Sequence, residues 1–292
     1  MTPAAAASSA RVTGFQSRTA VRRMGSALRS RELPTIPDYD VQRRVGQGRM
    51  STAWLARDLR RGGDVVLKVL NAGHAGDAAR DAFAQEFAIP LSINNKHVIR
   101  VFDQCSTRAH PYIAMEYLDG GDLAGWIRRG ITASDAVSLL GQAAMALAQV
   151  HEQGVVHCDV KPANLLLRSC GELVLADFGL ARRAGATVPA VRGAVFGTPC
   201  YAAPEQTRGD RANFAADVYS LGVVFYEMLR GIPPFTGPSA LELQCQHVMA
   251  AVPRLPLEFA RFQPLVDAML EKDAHRRLPN GAAVLDHVGC LA

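Results

Sequence analysis

The segment His157-Cys158-Asp159-Val160-Lys161-Pro162-Ala163-Asn164 places a carboxylate, a lysine, an amide and an imidazole within eight positions. Eighteen residues after Asp159 the chain reads Asp177-Phe178-Gly179. These residue types suit phosphoryl transfer, which asks little covalent chemistry of a protein. It needs carboxylates and an amide to hold a divalent cation, a carboxylate to orient an attacking hydroxyl, and cations to meet phosphate charge. Asp159, Asn164 and Asp177 supply the oxygens and Lys161 a cation.

Two upstream features belong to the same chemistry. In Val45-Gly46-Gln47-Gly48-Arg49-Met50-Ser51 the glycines let backbone N–H groups approach phosphate oxygens with no Cβ in the way. Alone, a G-x-G turn is more often a tight hairpin, and Ser51 stands where a nucleotide loop carries its third glycine. Lys68 closes the apolar run Val65-Val66-Leu67. It reads either as an edge lysine snorkelling to water or as a cation aimed at phosphates and held by a carboxylate. Glu86, 18 residues on, is the candidate for that carboxylate.

The elements that must position these groups change character along the chain. From Tyr39, the residues Val41, Val45, Ala53, Trp54 and 65–67 suit short twisted strands. Residues 78–93 predict a helix with Phe83, Phe87, Leu91 and Ile93 on its apolar side, and 98–103 and 111–117 predict strands. Gly120-Gly121 then breaks the pattern. Residues 133–152 carry Ala136, Leu139, Leu140, Ala143, Leu147 and Val150 at helical spacing, and 215–230 and 282–291 look similar. A β-rich lobe therefore precedes an α-rich one, with a hinge near 117–121.

Composition sets the outer bounds. The 292 residues are 49% hydrophobic and 20% charged, a globular balance that excludes wholesale disorder. No apolar run reaches about 18 residues, so a membrane span is not expected. Residues 1–31 hold six arginines (Arg11, Arg18, Arg22, Arg23, Arg29, Arg31) and no Asp, Glu or Lys, leaving −1 for the remainder of a chain whose formal net charge is +5. The basicity belongs to an arm, which weakens a nucleic-acid-binding reading. The six cysteines make neither a C-x-x-C pair nor a zinc pattern, and a reducing cytoplasm is the simpler expectation.

Further along come Gly197-Thr198-Pro199-Cys200-Tyr201-Ala202-Ala203-Pro204-Glu205, then Asp217, then Arg277. With these in place the chain resembles the eukaryotic-type serine/threonine protein kinases that bacteria also possess, over roughly residues 38–292. The ending Ala203-Pro204-Glu205-Gln206 is similar to bacterial members, and Lys161, two after Asp159, is the Ser/Thr-kinase choice.

The resemblance implies an α+β bilobal fold: a basic arm over 1–37, a β-rich N-lobe with one main helix over about 38–117, and an α-helical C-lobe over about 118–292. It implies ATP and Mg²⁺, with Mn²⁺ as an alternative, and protein Ser/Thr hydroxyls as acceptors. Val45, Gly46 and Gly48 would cover the nucleotide, with Ala53, Val66 and Leu166 around the adenine, Met115 as gatekeeper, and the backbones of Glu116 and Leu118 on the adenine edge. Lys68 would contact phosphates and pair with Glu86. Asp159 would accept the hydroxyl proton, Lys161 steady the γ-phosphate, Asn164 and Asp177 hold the metal, and Thr198 bridge Asp159 and Lys161. Phe178 and Gly179 complete the metal-binding motif. Glu205 and Arg277 would form a buried ion pair, and Asp217 would hold the catalytic-loop backbone.

Three departures stand out. Cys158 replaces the family's arginine before the catalytic Asp, which removes a main route from loop phosphorylation to the site. Thr187 is the one hydroxyl residue between Gly179 and Gly197, and activity is expected to depend little on it. Pro90, four residues after Glu86, removes a helical N–H, so a kinked but active helix is expected. Cys158 and Cys200 near the cleft read as small buried thiols rather than a low-pKa redox switch.

The rivals are a pseudokinase scaffold, a small-molecule kinase of related fold and a nucleic-acid binder. The presence of Lys68, Asp159, Asn164 and Asp177 argues against the first, and the Glu205–Arg277 pairing against the second. The near-neutral domain argues against the third. Regulatory input is expected through the arm, a partner meeting the N-lobe, or expression level.

Overall fold

Strand β3, Asp64–Leu70, shows how alternation builds the site: Val65, Leu67 and Val69 are buried on one face, while Val66 and Lys68 take the opposite face. The computed structural model describes residues 33–48, 50–71, 83, 87–105, 111–187 and 199–290. Within them β1 (Tyr39–Gln47), β2 (Ser51–Asp58), β3, β4 (Val101–Cys105) and β5 (Tyr112–Glu116) form an antiparallel sheet in the order β1-β2-β3-β5-β4. Register aligns Gly46 with Ala53, Ala53 with Lys68 and Lys68 with Ile113, and in the adjacent row Val66 with Met115. The adenine-side and phosphate-side candidates therefore come from one sheet face. The other face closes over Tyr39, Val41, Ala56, Val65, Leu67, Val69 and Ala114.

Residues 87–91 are helical (α1), and Pro90 is buried in that helix. The helix ends one residue after Pro90, and the chain turns through Ser92 N–H to Ile89 carbonyl (3.1 Å) and Ile93 N–H to Pro90 carbonyl (3.2 Å). The described helix stops one residue past the proline, so few helical bonds lie beyond it for the proline to disturb. Strand β4 begins later than its apolar run suggests. Val98 bridges Leu175, and Ile99 N–H donates to the Leu175 carbonyl (2.9 Å), so these residues join the C-lobe side instead of β5.

The hinge runs through residues 117–121. Gly120 is required there because a Cβ would stand 2.6 Å from the Leu167 carbonyl oxygen. Beyond it lie α2 (Leu123–Arg129), α3 (Ala133–Glu152), α4 (Pro204–Arg208), α5 (Phe214–Arg230), α6 (Ala240–Met249), α7 (Gln263–Met269) and α8 (Gly281–Gly289). Thr132 caps α3 by accepting from Asp135 N–H, and Asn213 caps α5 by accepting from Ala216 N–H. Helix α5 is buried nearly all round, as its almost unbroken apolar sequence requires. Two short ladders, β6 (Val155–Val156) with β9 (Arg182–Arg183) and β7 (Leu165–Leu167) with β8 (Leu173–Leu175), hold the loops carrying Asp159 and Asp177. Among the described residues no helix is long and apolar enough to cross a membrane.

Candidate active site

The loop after β6 is fixed from below by Asp217, which is buried in the first turn of α5. Its carboxylate accepts the His157 N–H (2.7 Å) and the Cys158 N–H (2.8 Å), and it meets His151 Nε2 at 2.9 Å. Because His151 Nδ1 accepts the Gly281 N–H (3.2 Å), the ring is the Nε2–H tautomer and donates to Asp217. Three donors to one buried carboxylate compensate its desolvation. They also stabilise an unfavourable backbone, since Cys158 has φ of 65°. A left-handed conformation costs a non-glycine residue about 1–2 kcal/mol and persists only where its surroundings impose it.

Asp159 follows. Its Oδ2 accepts from Lys161 Nζ at 2.6 Å and from Asn164 Nδ2 at 3.0 Å, and Asn164 Nδ2 also meets the Asp159 carbonyl at 2.9 Å. Asp159 N–H donates to His157 Nδ1 (3.3 Å), so His157 Nε2–H donates to the Ala176 carbonyl (3.1 Å). Phe178 packs edge-on against the same ring, 4.9 Å between centroids, and is buried. That seats Asp177 at φ 61°, ψ 75°, with Oδ1 2.8 Å from Lys68 Nζ. The acidic motif of the C-lobe thus meets the lysine of β3 across the cleft.

The cleft between sheet and C-lobe holds about 640 Å³. Val45, Gly46, Gly48, Ala53, Val66, Lys68, Met115, Glu116, Leu118, Asn164, Leu166 and Asp177 all line it. The glycine segment is a hairpin turn between β1 and β2, in which the Gly48 N–H donates to the Ser51 carbonyl (2.8 Å). Glu116 N–H is spent on the Arg100 carbonyl (3.0 Å). Its carboxylate accepts the Arg100 N–H (2.9 Å) and the Arg168 guanidinium (2.6 Å). Asp122 accepts the Gly125 N–H (2.7 Å) as the cap of α2. Both acids therefore serve the frame of the hinge.

Asn164 and Asp177 offer amide and carboxylate oxygens in the same cleft as Lys68 and the glycine turn. Hard oxygen donors of this kind suit Mg²⁺ better than a softer metal. The residues present therefore fit a nucleotide and its cation.

On the substrate side, Arg277 donates to both oxygens of Glu205, at 2.6 and 3.1 Å, with both side chains buried. Tyr201 hydroxyl donates to Glu227 (2.8 Å), and Ser220 hydroxyl donates to the Tyr201 carbonyl (2.8 Å), which pins the preceding segment to α5. Burial pushes the Cys158 thiol well above the usual range, with the Asp217 charge adding to it. Burial likewise raises the Cys200 thiol, helped by Glu227. Neither has the depressed pKa that a redox switch needs.

The family model described as the protein kinase domain matches residues 39–288. The chain belongs to the protein kinase family. A serine/threonine-protein kinase named drp72 from Corynebacterium efficiens is 38% identical to this kinase-family chain over 255 residues, covering 84% of it and 49% of the relative. Serine/threonine-protein kinase PknL from Mycobacterium tuberculosis is 38% identical over 80% of this chain and 59% of its own length. PknB from Mycobacterium leprae is 38% identical over 74% and 36% respectively. The chain thus spans about half the length of the curated relatives it matches.

Glu86 lies outside the described residues, as do residues 188–198, Thr198 among them. Thr187 itself is exposed. The structure adds residues the sequence reading did not single out: His151 behind Asp217, Arg168 on Glu116, and Gln206, whose amide reaches the Cys158 carbonyl. His151 left a trace in sequence as a polar residue on the apolar side of α3, and Gln206 as the last residue of the Ala203-Pro204-Glu205-Gln206 ending.

Proposed function

We propose that this chain is a protein serine/threonine kinase that transfers the γ-phosphoryl group of ATP, with Mg²⁺, to protein hydroxyls. The observation that carries the reading is that Lys68, Asn164 and Asp177 line one cleft, with Lys68–Asp177 at 2.8 Å, and that Asn164 holds Asp159 beside it at 3.0 Å.

In this reading Asp159 orients the acceptor hydroxyl and takes its proton, held in place by Asn164 and by the braced peptide of Cys158. Lys161 and Lys68 supply positive charge along the phosphates, and Asn164 and Asp177 hold the metal. A bound divalent cation would neutralise phosphate charge as it shifts toward the leaving oxygen. Val45, Ala53, Val66, Met115 and Leu166 offer an apolar slot for the base, and Glu116 and Leu118 a backbone edge. Glu205, Arg277 and Asp217 act as support.

The kinase domain is taken as 38–292 and the basic arm as 1–37, a division supported by the family match over 39–288. A cytoplasmic location follows from the cysteine usage. The arm or the N-lobe is the route proposed for a regulatory partner.

The test is label transfer from ATP to a generic basic protein, followed by phosphoamino-acid analysis. Phosphoserine or phosphothreonine is expected. Label confined to tyrosine, or to a small molecule, would overturn the acceptor class.

A further inference from the structure

Cys158 is clamped from two sides. Its N–H donates to Asp217 Oδ1 (2.8 Å), and its carbonyl accepts from Gln206 Nε2 (3.0 Å). The second oxygen-bearing end of the same amide, Gln206 Oε1, accepts the Ala203 N–H at the start of α4 (2.9 Å). These two partners set the amide orientation, because Ala203 offers only a donor and the Cys158 carbonyl only an acceptor. Gln206 is therefore a two-ended strap between the substrate-side segment and the residue immediately before Asp159.

What the strap holds is a peptide that does not stay in place unaided. Cys158 sits at φ 65° without a glycine's freedom. Its thiol turns back to the Val156 carbonyl (3.6 Å) and, among the described residues, makes no hydrogen bond to the 199–206 segment. Among the described residues, Gln206 is the side chain that connects this peptide to the segment ending in Glu205, which Arg277 and Tyr201 anchor separately.

We propose that Gln206 is a positioning residue for phosphoryl transfer, setting the Asp159 carboxylate through the Cys158 carbonyl and coupling it to order in the 199–206 segment. The proposal rests on the kinase reading. Gln206 does not line the cleft and bonds neither Asn164 nor Asp177, so its loss falls on kcat rather than on the KM for ATP.

Two variants separate this role from simple capping of α4. Gln206→Ala removes both bonds. Gln206→Glu keeps an acceptor for the Ala203 N–H but turns an acceptor toward the Cys158 carbonyl. That mismatch is relieved only when the new carboxyl is protonated and donates, and facing a carbonyl raises its pKa. For Gln206→Ala, kcat should fall about tenfold with the KM for ATP little changed, the size of one well-placed hydrogen bond. For Gln206→Glu, the rate relative to wild type should be lowest near about pH 8 and recover several-fold toward about pH 6.

An arm that needs no activity follows alkylation of Cys158 by iodoacetamide, resolved by peptide mass spectrometry. Labelling should be about tenfold faster in Gln206→Ala. A wild-type kcat in Gln206→Ala, a Gln206→Glu to wild-type ratio flat across pH, or an unchanged Cys158 labelling rate would each overturn the proposal. Asp159→Asn is the control. Label transfer that survives it sinks the kinase reading instead, and the alkylation arm then decides on Gln206 alone.

Discussion

Replacing Arg277 with methionine removes the most heavily committed cation among the described residues. Its guanidinium donates twice to Glu205, and also to the carbonyls of Ala215 (2.8 Å), Glu271 (2.7 Å) and Lys272 (3.3 Å), and it lies 4.9 Å over the Tyr219 ring. The Arg277 side chain has no exposed area and that of Glu205 only 4%. Methionine fills much of the volume but leaves a carboxylate and three carbonyls facing an apolar chain. Stranding one member of a buried pair costs about 3–5 kcal/mol. For a domain of this size about 2–4 °C is lost per kcal/mol, so the melting temperature should fall by about 6–20 °C. Urea unfolding gives the free energy directly. The double variant Glu205→Gln/Arg277→Met should be more stable than the sum of the single losses predicts, because the stranded charge is gone. A single-variant loss under about 1 kcal/mol, the size of an exposed pair, would refute the reasoning.

Three further outcomes follow from the same geometry. Arg168→Met frees Glu116 at the hinge and the Lys96 carbonyl (3.0 Å), and should cost about 1–2 kcal/mol in urea and speed nucleotide release in stopped-flow. His247 is buried against Tyr219 (3.0 Å), and burial first, then the charge of Lys272, lowers its pKa to about 4. The folded state therefore binds fewer protons than the unfolded one between about pH 6.5 and 4, and stability should fall as pH drops through that window, by up to about 3 kcal/mol. His247→Gln should flatten that part of a stability–pH curve. Thr187→Ala should keep its rate within about tenfold of wild type in a phosphotransfer assay, because Cys158 stands in place of the arginine that would link a loop phosphate to Asp159.

The parts of this account that sequence could carry are those written locally. Helix α3 matches the 133–152 reading because its apolar period is unbroken and Thr132 stands at the cap position. The slot-lining face of β3 follows from alternation alone. Asp159, Asn164 and Asp177 are recognisable because their spacing is fixed within one loop and its neighbour. Pro90 was legible as a disturbance, but whether a helix bends or stops depends on what the next residues bond to. Here Ser92 and Ile93 turn back on Ile89 and Pro90. The start of β4 shifted because Val98 and Ile99 found Leu175, 77 and 76 residues away, a competition no local pattern reveals. Arg168 was silent for the same reason, and Gln206 stood out only as the end of the Ala203-Pro204-Glu205-Gln206 motif, with nothing to mark its bond to Cys158. A polar side chain on a short element carries no sequence signal of the distant carbonyl or carboxylate it will meet.

The most direct test of the central claim compares wild type with Asp159→Asn and Lys68→Met, measuring ATP binding and label transfer to protein in parallel. Asp159→Asn should bind ATP with near wild-type affinity and lose transfer by at least about a thousandfold, while Lys68→Met loses transfer and weakens binding. Transfer that persists in Asp159→Asn, or a wild-type chain that binds ATP and transfers nothing with Mg²⁺ or Mn²⁺ present, would contradict the account.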